Sequence, residues 1–378
     1  MKVYLDNAAT TPMHPEVVAE MTRMMQLQFG NPSSIHSFGR EVRVAIEDAR
    51  KRVAKLLKVS PADIFFMSGG TEADNMAIRC AVNDLGIRHA ITSKIEHHAV
   101  LHTLEDLAHR GIIKLSFVDI DDKGHVDLKH LEQLLKDHDR SFVSLMHANN
   151  EIGTMLPLQE TGELCRKYNA IFHSDTVQSM GHFPHDLSKI PVDFITCAAH
   201  KFHGPKGIGF LYVNNAHVKI KPLITGGSQE RNMRGGTENI YGIVGLARAL
   251  ELSYHDMDKD AAYISGLKEY MIEQLKSNIP GVEFNGDISN KSLYTVLNVS
   301  LPPSEIGEML LFNLDIAGIA ASGGSACTSG SEQGSHVLQG INADPNRPAV
   351  RFSFSRFNTR EELNYTVEKL KEMFLVKA

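Results

Sequence analysis

The chain has 378 residues, 42% hydrophobic and 22% charged, the balance of a folded globular protein long enough for two domains. Its net charge of -6 gives no electrostatic case for a nucleic-acid or anionic-membrane surface. No apolar run approaches the ~20 residues of a membrane span, and the opening segment Met1–Pro12 lacks a signal-peptide pattern, so a cytoplasmic protein is expected.

Along the chain, Val42, Ile46, Ala49, Val53 and Leu56 recur at three- and four-residue steps, which predicts an amphipathic helix over 41–57, closed by Ser60-Pro61. The apolar run Ile64–Met67 gives way to Ser68-Gly-Gly-Thr71 and a helical start: strand, glycine turn, helix. Further strands are predicted at 112–120, 142–146, 170–173, 194–197 and 209–213, with helices at 128–135 and 158–168. Strands separated by helices imply right-handed crossovers and a mainly parallel sheet covered on both faces. After a helix beginning near Ile243 the pattern changes to a polar helix at 260–276, strands at 281–284 and 293–301, a helix at 304–314, a strand at 350–354 and a last helix at 359–374.

Between those last elements, Ala321–Ser335 is almost wholly Gly, Ser, Ala and Thr. It has little to bury and much backbone freedom, which predicts a mobile surface loop carrying Cys327. Free cysteine is usually a buried small hydrophobe, so a thiol on such a loop is placed to move and react. The loop alone fits a linker with a chance cysteine equally well. The other cysteines, Cys80, Cys165 and Cys197, are scattered without a C-x-x-C pair, which argues against a metal site built by this chain alone and against a disulfide framework.

Three motifs carry chemistry. Ser68–Thr71, between strand and helix, offers free N–H groups to an anion, although many strand–helix turns are glycine-rich. Asp175 closes a strand, where ligands gather in parallel sheets; its bland role is a helix cap. Lys201 follows a strand directly, and a lysine at a buried strand end either pairs or loses its proton, in which case its amine can form a Schiff base with an aldehyde. Together they fit one ligand: a phosphate on Ser68–Thr71, an aldehyde on Lys201 and a pyridine nitrogen facing Asp175, that is, pyridoxal 5'-phosphate.

The segments Leu5-Asp-Asn-Ala-Ala-Thr-Thr-Pro12, Phe29-Gly-Asn-Pro-Ser-Ser34, Ser93-Lys-Ile-Glu-His97, Met146-His-Ala-Asn-Asn-Glu-Ile-Gly153, His200-Lys-Phe-His-Gly-Pro-Lys-Gly207, Arg231-Asn-Met-Arg-Gly-Gly-Thr237, Ser325-Ala-Cys-Thr328 and Val350-Arg-Phe-Ser353 occur in an order that resembles cysteine desulfurases of the NifS/IscS type over essentially the whole chain. The resemblance implies an α/β fold of PLP fold type I. Its large domain would span about 15–250, and a small domain would combine 1–14 with 251–378 and carry the loop at about 321–335.

It also implies roles. Lys201 would hold the cofactor and move the substrate Cα proton; Asp175 would face the ring nitrogen, Gln178 the ring hydroxyl, and His97 the ring face, with His97 also the catalytic candidate to take or give the proton of the Cys327 thiol. Gly70, Thr71 and His200 would hold the phosphate, with Thr237 reaching in from a partner subunit. Asn150 and Arg351 would grip the carboxylate of L-cysteine, and Cys327 would take its sulfur as a persulfide, leaving L-alanine. A homodimer is implied, with an iron–sulfur scaffold or another sulfur-acceptor protein as partner. Ala198 stands where many relatives carry a hydroxyl, so one phosphate contact is expected to be missing, and Ser228 departs from a family glycine. An aminotransferase or β-eliminating lyase of the same fold, and a non-catalytic sulfur carrier, are the rival readings.

Overall fold

The computed structural model describes residues 1–304, 307–323 and 334–375; Cys327 and the centre of the expected mobile loop lie outside the described residues. The strands are β1 (Val3–Tyr4), β2 (Ile64–Met67), β3 (His89–Thr92), β4 (Lys114–Phe117), β5 (Phe142–Ser144), β6 (Ile171–Asp175), β7 (Phe194–Ala198), β8 (Gly209–Val213), β9 (Glu283–Asn285), β10 (Val296–Ser300), β11 (Ile319–Ala320) and β12 (Ala349–Ser353).

Seven strands form one sheet in the order β2-β8-β7-β6-β5-β3-β4. The β7–β6, β6–β5, β5–β3 and β3–β4 pairs are parallel, while β8 runs antiparallel to both β2 and β7. The reversal has a simple cause. Only a short 3-10 turn at Ala199–Lys201 interrupts the link from β7 to β8, and without a crossover helix the chain must turn back.

Successive side chains of a strand point to opposite faces, so Phe65 and Phe66 enter different apolar layers. Phe66, Ile195 and Phe210 pack beneath helices Ser37–Leu57 and Ile240–His255. Phe65, Phe194 and Leu211 pack beneath helices Gly70–Asp84 and His98–His109. Burial on both faces explains the nearly continuous apolar runs of β2, β7 and β8.

The expected strand at 112–120 is shorter, Lys114–Phe117, at the sheet's edge. The helix expected at 304–314 is instead a 3-10 turn at Gly307–Met309 followed by Leu310–Ile316. The sequence reading did not anticipate β3 or the helices Pro15–Leu27 and His98–His109.

A second sheet is antiparallel, β12-β10-β9, and β1 pairs in parallel with β11 through Val3–Ile319 and Tyr4–Ala320. Val3 and Leu5 share a third apolar cluster with Met271, Val299, Leu314 and Phe352, so the first residues of the chain pack with buried residues from Ile264 onward. The N-terminal segment then links the two sheets: Leu5 O accepts from Ser353 N at 2.7 Å, and Thr11 N donates to His200 O at 2.9 Å. Among the described residues no helix is long and apolar enough to cross a membrane.

Candidate active site

The carboxyl ends of β5, β6 and β7, the residue before helix His98–His109 and the first turn of helix Gly70–Asp84 open onto one cavity of about 230 Å³. This is the edge where parallel sheets bind ligands. Nine of the sequence-predicted residues line it: Gly70, Thr71, His97, Asn150, Asp175, Gln178, His200, Lys201 and Arg351. Thr237 does not; it lines a separate cavity with Ser68, Gly207 and Arg234. Cys327 lies outside the described residues.

Helix Gly70–Asp84 begins without a side-chain cap, because its N-cap residue is Gly69. Its first N–H groups are left for an incoming acceptor, and a negative charge is favoured there. Gly70 is also needed for space: a Cβ there would stand 2.9 Å from Val177 Cγ2. Thr71 adds a hydroxyl. His200 Nδ1 lies 3.2 Å from Thr10 Oγ1, and burial pulls that ring's pKa down to about 4, so it is neutral. Ala198 also lines the cavity and offers no hydrogen bond from its side chain.

Lys201 ends the turn after β7. Its Nζ donates to the carbonyl oxygens of Ala8 at 2.6 Å and Ala9 at 2.8 Å, and Gln178 Nε2 donates to the same Ala8 carbonyl at 2.9 Å. Asp175, the last residue of β6, is 6% exposed and accepts from Val177 N at 2.8 Å. Burial, and then the neighbouring Asp74, push its pKa up to about 7. His97 caps helix His98–His109, its Nδ1 accepting from Ala99 N at 3.1 Å. That bond assigns the neutral ring's hydrogen to Nε2. Burial and then Lys201 lower the ring's pKa to about 4.

Arg351 approaches from β12 and is 1% exposed. Its Nη1 donates to Asn150 O and its Nη2 to Asp6 Oδ1, both at 2.9 Å, while Nε has no partner. Two of a guanidinium's five N–H donors are thereby used, leaving three. Asp6 also accepts from Ser322 Oγ at 2.8 Å, and Ser322 exchanges backbone hydrogen bonds with Arg351. The last described residues before Cys327 are therefore tied to the arginine.

Sequence reasoning missed four contributors: Asp6, the Ala8 carbonyl, Asp74 and Glu96. Asp74 could have been found, since it stands four residues after Gly70 on one helix and so faces the same cavity. Glu96 is buried beside His97. It accepts from Ser93 Oγ at 2.8 Å and Met146 N at 2.9 Å, and burial raises its pKa to about 8.

The cavity thus joins an anion cradle, an amine, a buried acid and a buried guanidinium. The family model for aminotransferase class-V matches residues 3–366. The chain belongs to the class-V aminotransferase family. It is 44% identical over 376 residues to the "Cysteine desulfurase IscS" of Dictyoglomus turgidum, a match covering 98% of this chain and 94% of that protein. Among solved structures, a "NifS-like protein" is 38% identical with a TM-score of 0.91, covering 99% of both chains. "SspA in complex with cysteine" is 28% identical with a TM-score of 0.81, covering 95% of this chain and all of that one. The α/β architecture with its mostly parallel sheet is that of these NifS-like enzymes.

Proposed function

We propose that this chain is a cysteine desulfurase dependent on pyridoxal 5'-phosphate, which transfers the sulfur of L-cysteine to Cys327 as a persulfide and leaves L-alanine. The observation that carries the reading is the meeting of Lys201, from the turn after β7, with Asp175 of β6 and Arg351 of β12 on one cavity with the uncapped helix start at Gly70. Those groups fit the cofactor's parts. Gly70, Thr71 and His200 suit a phosphate, Asp175 a ring nitrogen, His97 a ring face, Gln178 a ring hydroxyl and Lys201 an aldehyde.

When bound, the cofactor supplies an electron sink for charge left at the substrate Cα. The chain's own residues do the rest. Arg351 uses its remaining donors, with the Asn150 side chain, to hold the substrate carboxylate. Lys201 takes and returns the Cα proton. The Cys327 thiolate accepts sulfur, so that the substrate C–S bond is replaced by an S–S bond on the protein and the substrate carbon gains hydrogen.

The wider form of this reading is a cytoplasmic homodimer that hands its sulfur to an acceptor protein, and two features support its homodimer. Thr237 lines a cavity other than that of its own chain's Lys201, as a residue serving a partner's site would. Leu27, Phe29, Ile35, Phe38 and Val44 are exposed and close in sequence, an apolar surface of the kind a second subunit covers. The division into a large and a small domain has similar support from the separate apolar clusters.

Purified protein given the cofactor, L-cysteine and a reductant is expected to form alanine and sulfide; pyruvate and ammonia would make it a lyase. Cys327→Ser should keep the yellow absorbance of the bound cofactor and lose sulfide release. Undiminished desulfuration by that variant would overturn the persulfide route. Failure of the wild type to take up the cofactor at all would favour the non-catalytic carrier.

A further inference from the structure

Asp74 has no role in the reading above, yet its position is unusual. It is 1% exposed and lines the Lys201 cavity, and its Oδ1 has no hydrogen-bond partner. Carboxylate oxygens of Asp74 and Asp175 and a ring nitrogen of His97 lie within 4.8 Å of one another. His173 Nε2 lies 3.4 Å from Oδ1 without a hydrogen bond, while the Asp74 carboxyl keeps one hydrogen bond, with the Thr196 side chain. His173 is engaged elsewhere, with Ser144 Oγ at 2.8 Å and Thr196 Oγ1 at 3.1 Å.

The titratable and charged groups facing the two carboxyls come from every element around them. They are His173 on β6, Cys197 on β7, His97 and Glu96 beside helix His98–His109, and Lys201 after β7. His97 and His173 are neutral, both held down to about 4, first by burial. Lys201 directs hydrogen bonds to the carbonyls of Ala8 and Ala9. Two buried carboxylates this close cannot both stay ionised cheaply, and a buried acceptor without a donor is itself costly.

We propose that Asp74 is a positioning residue for the cofactor's ring nitrogen: it pairs with Asp175 so that the two carboxyls hold a single proton in the cofactor-free protein. The pair then presents one negative charge, rather than two, to the cationic ring nitrogen. The direction of both acids' titration agrees, each being raised to about 7, with burial as the first cause on each and Asp74 the next on Asp175. The two protons come off in steps that belong to the pair. This inference rests on the cofactor reading, and its test separates the two.

The test is infrared difference spectroscopy of the carboxylic-acid C=O stretch across pH, on cofactor-free full-length protein. Glu96→Gln serves as background to remove the other buried acid that interacts with the pair. Asp74→Asn should shift the titration of the remaining Asp175 downward by about one pH unit or more. Asp175→Asn should shift that of Asp74 by a like amount, because coupling is reciprocal. A misfolded first variant still leaves the second to read.

A second readout is the pH dependence of the bound cofactor's absorbance, expected to move in Asp74→Asn even where turnover is retained. If the surviving acid titrates unchanged in the folded variants, the pair does not exist and Asp74 is only structural. If wild-type protein takes up no pyridoxal phosphate, the cofactor reading fails, whatever the infrared result.

Discussion

Two lysines stand at the walls of two cavities in this molecule, and only one has chemistry around it. Lys268, on helix Met257–Asn278, is 5% exposed and lines the larger space, about 270 Å³. Its Nζ donates to Ser292 Oγ at 2.8 Å and Leu293 O at 3.0 Å, and burial lowers its pKa to about 8. Lys201 is less buried and its cavity smaller, about 230 Å³. Around Lys201, however, converge a helix start without a cap, two raised acids and a guanidinium with unused donors. A buried amine in a large pocket does not make an active site. Groups whose needs are met only by a ligand do.

The comparison breaks if both lysines matter to turnover. Lys201→Ala should lower alanine formation by about a thousand-fold or more, the scale of losing a positioned acid–base group, and should abolish the lysine-bound cofactor band. Lys268→Met should leave the rate within about two-fold. Equal losses in the two variants would mean that the cavity at Lys201 has been misassigned.

A smaller effect is expected at Arg351. Arg351→Lys keeps the charge but loses the planar fork, and should raise KM for cysteine by roughly ten- to a hundred-fold, the range of a charged hydrogen bond. Because the guanidinium also joins Asn150 O to Asp6, urea midpoints must accompany the kinetics. An unchanged KM with a lowered midpoint would make Arg351 a strut between the two sheets rather than a substrate ligand.

What the sequence revealed follows the same division. The site residues on the large sheet were legible because each sits at a strand end or helix start, inside a local motif. Their partners from the N-terminal segment were not. Lys201 Nζ is bound by the carbonyl of Ala8, 193 residues away, and a backbone oxygen carries no letter in a sequence. Arg351 meets Asp6 across 345 residues, a pairing set by tertiary packing.

Element errors have physical causes too. β3 was hidden by His89, a polar residue in a buried strand, satisfied by Ser141 Oγ at 2.8 Å and Ser116 Oγ at 2.9 Å. Helix Pro15–Leu27 was hidden because Val17 and Met24 are buried while their neighbours Val18 and Met25 are exposed, which blurs the apolar stripe. The helix over 41–57 had no such interruption, and its expected end at Leu57 is the observed one.

The smallest effect tests the bland half of the comparison, that Lys268 is a lysine the fold tolerates. Its pKa falls from 10.5 in the ordinary lysine to about 8 in the fold, so the unfolded chain binds more protons between those values. Stability should therefore rise with pH from about 8 to about 10.5, and below 8 the full cost of the buried charge is present. That cost is roughly 3 kcal/mol at neutral pH. Lys268→Met removes it but leaves Ser292 Oγ and Leu293 O without their donor, at about 1 kcal/mol each. The variant should thus be about 1 kcal/mol more stable at pH 7, and its urea midpoint should lose the rise between pH 8 and 10. A rise left intact would assign it to another group. A variant that is several kcal/mol less stable at pH 7 would show that the ammonium is held by more than these two acceptors and that this second cavity does bind its lysine for a purpose.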